Sequence, residues 1–218
     1  ILKRDLGIAK HKPKFKDIFS KSRAINYLSA ARLFLFGARD VWFVVALPVF
    51  LASSLGWDFW QVGSFLALWV IGYGVVQALT PRIIMRPSAH PPGKVQAVMW
   101  AACLSVVPFS MAMLWGHMVP QELLVGGLTV FGILFAINSS LHSFLIVSYA
   151  GADGVSLDVG FYYMANALGR LVGTVLSGWV FQVAGLQACL LVSGAFLAVT
   201  ALITLGLPAR KLIASSIA

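Results

Sequence analysis

Long apolar runs constrain this chain more than any other feature. A helix needs about 20 mostly apolar residues to cross a bilayer core, and the sequence offers about six such runs. They fall at about Ala30 to Ser54, Val62 to Thr80, Val95 to Trp115, Leu123 to Tyr149, Val159 to Phe181 and Leu186 to Leu207. The expected fold class is therefore an all-α membrane protein of about six transmembrane helices. Composition supports this. Soluble domains carry about 25% charged residues, whereas 11% of these 218 residues are charged and 60% are hydrophobic. The mean hydropathy is +0.89. A soluble fold of that composition would expose too much apolar surface; lipid removes the difficulty.

The net charge of +9 is unevenly spread. Eight of the sixteen Lys and Arg precede Ile25: Lys3, Arg4, Lys10, Lys12, Lys14, Lys16, Lys21 and Arg23. A pI near 10.0 suggests nucleic acid at first sight. A basic block directly before an apolar span is already explained by positive-inside topology and anionic lipid, so no nucleic-acid partner is called for. Arg82, Arg86 and Lys94 in the Pro81–Lys94 connection, and Arg210 and Lys211 after the last span, mark the same side. Both ends then read as cytoplasmic, in a multi-pass protein of the cell (inner) membrane. The connections near Asp58, Glu122 and Gly185 lie on the other side. Residues 1–23 read as a basic cytoplasmic linker, and residues 24–218 as a six-helix transmembrane domain with a short cytoplasmic tail. Phe15, Ile18 and Phe19 sit at helical spacing among lysines, which fits either a membrane-surface helix or a basic tether. The chain begins at Ile1 rather than Met, which reads as a fragment or a processed or trimmed product.

Charge within a bilayer costs roughly 2.5–3.5 kcal/mol per residue at a helix centre, so the few charges inside the runs carry information. Arg39 and Asp40 lie within the first run. Arg32 precedes Arg39 by seven residues, which puts both on roughly one face with Phe36 and Phe43 nearby. This arrangement reads either as a cationic, aromatic-lined stripe on a cavity or as a structural ion pair in which Asp40 neutralises an arginine. Arg32 also fits a snorkelling residue at the lipid phosphates. In the fifth run, Ala165, Gly169, Gly173 and Ser177 recur every four residues as a small face suited to close helix packing. Tyr162, Asn166, Arg170 and Thr174 form an adjacent polar stripe, with Arg170 near mid-span as a candidate binding or gating residue. In the fourth run Asn138 and His142 share a face, with Ser139, Ser140 and Ser143 around them. His142 fits a proton-coupling role or a neutral histidine hydrogen-bonded between helices. Pro48 and Pro108 within runs permit kinks.

No catalytic set is present: HExxH, GxSxG and P-loop patterns are all missing, so the chain does not read as an enzyme. Cys103 and Cys189 are far apart and no CxxC occurs, so neither a metal nor another cofactor is implied. The substrate-binding or gating candidates are thus Arg32, Arg39, Asp40, Asn138, His142, Tyr162, Asn166 and Arg170.

Six spans behind a basic loop match the second half of a major facilitator superfamily transporter, whose two six-helix halves surround a midplane site. Ser20-Lys-Ser-Arg-Ala-Ile-Asn26, Leu28-Ser-Ala-Ala-Arg32, Phe36-Gly-Ala-Arg-Asp-Val-Trp-Phe43 and Phe161-Tyr-Tyr-Met-Ala-Asn-Ala-Leu-Gly-Arg170 resemble the organoarsenical efflux permeases of that superfamily. The resemblance covers essentially the whole chain, and implies a missing N-terminal six-helix half. It further implies secondary-active export of 1-arseno-3-phosphoglycerate, an organic anion, for arsenate resistance. A functional link follows to glyceraldehyde-3-phosphate dehydrogenase, which forms that ester. Arg39 and Arg170 suit bidentate oxyanion contact, although any organic anion would fit them. The Pro81–Lys94 loop departs from the superfamily pattern: it lacks the acidic residue often seen there, which puts its gating contact in doubt. Other readings are a major facilitator exporter of a drug or sugar, a six-helix half that dimerises, and a membrane scaffold without transport.

Overall fold

The computed structural model describes residues 22–83, 92–150 and 155–208. The basic block up to Lys21, with Phe15, Ile18 and Phe19, lies outside the described residues, as do Arg86, Arg210 and Lys211. Helices follow one another as α1 (Arg23–Phe43), α2 (Ala46–Leu55), α3 (Phe59–Ile83), α4 (Lys94–Met113), α5 (Pro120–Tyr149) and α6 (Val155–Leu205). No strand occurs among the described residues.

The first expected span is helical from Arg23, earlier than Ala30, and it is interrupted at Val44 and Val45. Pro48 gives the reason: its nitrogen has no hydrogen for the carbonyl of Val44, four residues back. The orphaned N–H of Ala46 at the start of α2 donates instead to Ser177 Oγ at 3.0 Å, a partner on α6. Gly56 ends α2 with φ 69, in the left-handed region that glycine adopts without strain. Asp58 and Gln61 then start α3 by reciprocal capping. Gln61 N–H donates to Asp58 Oδ1 at 2.8 Å, and Asp58 N–H donates to Gln61 Oε1 at 2.9 Å.

Among the described residues, five helices are long and apolar enough to cross a membrane: Arg23–Leu55, Phe59–Arg82, Lys94–Met113, Pro120–Tyr149 and Leu157–Leu205. This differs from the six runs of the sequence because the last helix takes in both of the final two. Gly185, with φ 72 and ψ −175, breaks it. Cys189 Sγ lies 4.0 Å from Ser177 O, although 12 residues separate them. An unbroken helix would hold them about 18 Å apart at 1.5 Å per residue. The chain therefore folds back at Gly185, and the limbs on either side of it pack together.

The first limb of α6 lies against α1 with backbone nearly touching backbone. A Cβ added at Gly169 would strike the Leu33 carbonyl, and one at Gly173 would come 2.7 Å from Gly37 O. Ala165, Gly169, Gly173 and Ser177 are all buried, so the small face meets α1 as its spacing predicts. Around this contact a core collects Leu35, Trp42, Phe131, Phe135, Leu186 and Leu197 from α1, α5 and α6. Outward faces are apolar as well: Phe59, Trp60 and Leu68 on α3 are 81%, 79% and 68% exposed. Such a surface is stable against lipid and not against water. Composition and architecture together give a helical membrane protein.

Candidate functional site

The close α1–α6 approach brings the polar residues of both helices together at two levels. At the first, Asp40 is 1% exposed and holds two guanidiniums. Arg39 Nε donates to Asp40 Oδ1 at 2.6 Å, and Arg170 Nε donates to Asp40 Oδ2 at 3.2 Å. Each carboxylate oxygen thus takes one arginine. Both arginines bind Asp40 through Nε. The Arg170 side chain is 56% exposed, so its fork is open to a further acceptor.

About two turns toward the start of α1 lies the second level. Arg32 is 4% exposed. Its Nε donates to Asn166 Oδ1 at 3.1 Å on α6, and its Nη1 donates to Ser139 O at 3.2 Å and Ser139 Oγ at 3.3 Å on α5. The guanidinium carbon sits 4.0 Å from the Phe36 ring centre and 5.0 Å from that of Tyr162. Arg32 is therefore an interior tie between three helices, not a residue snorkelling to lipid phosphates. Among the described residues it meets no carboxylate.

Phe36 joins the levels. Arg39 lies 5.0 Å from the same ring that Arg32 covers, and 5.4 Å from the Phe135 ring. Phe36 and Phe135 pack edge to face at 5.1 Å. Phe135 continues to Tyr73 at 5.8 Å, Tyr73 to Trp69 at 5.7 Å, and Trp69 to Phe43 at 4.5 Å. The two cations face an aromatic wall built by α1, α3 and α5, in which cation–π attraction offsets part of the lost hydration.

The eight candidates divide unevenly. Arg39, Asp40 and Arg170 form one cluster; Arg32, Asn166 and Tyr162 form the other. Asn138 turns elsewhere: its Nδ2 donates to Trp100 O on α4 and to Leu134 O on its own helix, both at 2.9 Å. His142 is fully buried beside the second cluster, and neither ring nitrogen has a hydrogen-bond partner. An interhelical hydrogen bond is thus not what holds it. Thr174 is half-buried on α6.

Several contributing residues are not singled out as site members by the sequence. Ser139 accepts from Arg32 and lies 3.5 Å from Gln77 Nε2, while Ser140 Oγ donates to Gln77 O at 3.1 Å. Gln77 thereby ties α3 to the second cluster. Trp69, Tyr73 and Gln77 recur every four residues on α3, and that spacing is the signal that could have marked them. Chemically, the site presents three arginines against one aspartate in an apolar interior. Two positive charges remain unbalanced among the described residues, which suits an anion with oxygen acceptors.

No protein-family model matches this chain, and no curated protein matches it.

Proposed function

We propose that the chain is one six-helix half of a major facilitator superfamily transporter that exports an organic oxyanion across the cell membrane. The observation that carries the proposal is the charge balance at the α1–α6 contact. Arg39 and Arg170 share the one carboxylate of Asp40, Arg32 has none among the described residues, and the Arg170 side chain is 56% exposed. A buried excess of positive charge is unfavourable unless an anion completes it. The resemblance to organoarsenical efflux permeases selects 1-arseno-3-phosphoglycerate as the first substrate to test. Both ends would lie in the cytoplasm, and the partner half would supply the opposite wall of the pathway.

Everted membrane vesicles carrying the full-length protein test this directly. Glyceraldehyde-3-phosphate dehydrogenase supplied with its triose substrate and arsenate generates the ester outside them. Uptake above vesicles lacking the protein is expected, falling at least tenfold in Arg170→Ala. Absence of uptake with intact expression would reject the arsenical cargo. Transport of a neutral drug or sugar that is unchanged in Arg39→Ala and Arg170→Ala would reject the anion reading itself.

A further inference from the structure

We infer that Arg32 and His142 form a second, interior oxyanion station, distinct from the Arg39–Asp40–Arg170 cluster. The inference rests on the anion reading above and assigns it a second binding point. Three observations converge on it. Arg32 is 4% exposed, and its partners, Asn166, Ser139, Phe36 and Tyr162, are all neutral. A charge held this deep by neutral dipoles alone lacks the counter-ion that makes burial tolerable. Its Nη2 has no hydrogen bond, whereas Nε and Nη1 are both engaged.

His142 supplies the second observation. It is 0% exposed and both ring nitrogens are unpartnered. A neutral imidazole has one N–H donor and one acceptor, and leaving a buried donor unmade costs about 1–3 kcal/mol. Third, the two residues are placed together. Arg32 Nη1 bonds Ser139 on α5, and His142 follows Ser139 by three positions, which puts it on the same face one turn along. One oxyanion group, a phosphate, arsenate or carboxylate, would accept from Arg32 Nη2 and from the His142 N–H. It would neutralise the first and satisfy the second. The Phe36 ring, 4.0 Å from the Arg32 guanidinium carbon and 5.0 Å from that of Arg39, lies next to both this station and the more exposed one.

The test uses the full chain labelled with 15N-histidine in phosphatidylcholine nanodiscs, titrated with inorganic phosphate. The His142 ring resonances are identified by their loss in His142→Gln. A saturable shift of those resonances is expected, retained in Arg170→Gln and weakened at least tenfold in Arg32→Lys, which keeps the charge and most of the fold. Repetition in phosphatidylglycerol separates sources: a shift present before phosphate is added assigns a lipid headgroup to the station. If phosphate binds by calorimetry in an Arg170-dependent manner while His142 does not move, the second station is rejected and the anion reading stands. If phosphate does not bind at all, both fall.

Discussion

Asp40 is the residue on which the charged interior depends. Its carboxylate is the acidic group shared by Arg39 and Arg170, and it is 1% exposed. Removing one partner of a buried pair leaves the other charge uncompensated, which costs about 3–5 kcal/mol where both are buried. Arg170 is more than half exposed and recovers hydration, so the lower end applies. Asp40→Asn is expected to lower stability by about 3 kcal/mol, read as thermal unfolding in detergent. The double variant Asp40→Asn with Arg39→Gln should be more stable than Asp40→Asn alone, because it removes the stranded cation. Equal loss in both would show that the pair is not coupled. The sequence shows Arg39 beside Asp40 and leaves open whether the pair is structural or lines a cavity. It carries no sign that Arg170, 130 positions away, takes the other carboxylate oxygen.

At the scale of the helix, glycine decides how the site is assembled. Gly169 and Gly173 let α6 approach the α1 backbone at Leu33 and Gly37, and this approach carries Asn166 to Arg32 and Arg170 to Asp40. Gly178, five residues beyond Gly173, has nothing within 4 Å of an added Cβ. Gly169→Ala must therefore push two backbones apart, at a cost of about 1–3 kcal/mol. Gly178→Ala should be neutral or slightly stabilising, since alanine favours the helix by roughly 1 kcal/mol. Comparing the two variants by thermal unfolding checks this, and a similar loss in both would contradict the packing described. The four-residue spacing of Ala165, Gly169, Gly173 and Ser177 makes the small face legible in sequence. The additional role of Ser177 is not legible, because its hydroxyl answers an N–H freed by Pro48 on another helix.

Across the whole molecule, apolar surface on the outside and arginines on the inside invert the arrangement of a soluble fold. Positive charge in the connections is the basis of the proposed orientation. The proposed topology, with both ends cytoplasmic, predicts that a cysteine replacing His117 between α4 and α5 reacts with a membrane-impermeant maleimide added to intact cells. One replacing Arg23 should react only after the cells are opened. The reverse pattern would invert the topology. Both positions are exposed, so accessibility from either side is not limited by packing.

The sequence by itself determined that this is a helical membrane chain. It also marked the connections near Asp58 and Gly185 and the polar residues placed within apolar runs. These are local properties: hydropathy over about 20 residues, a period of 3.6, and the positive φ that glycine permits. Tertiary structure alone decided that Arg32 points inward to Asn166 and Ser139, and that Asp40 is divided between two helices. Asn138 left the candidate group for the same reason, drawn to the Trp100 carbonyl on α4. A helical stripe shows which residues share a face but not which neighbour that face meets. That choice was made by the fit of Gly37 against Gly169 and Gly173, contacts between positions more than a hundred residues apart whose pairing no local pattern encodes.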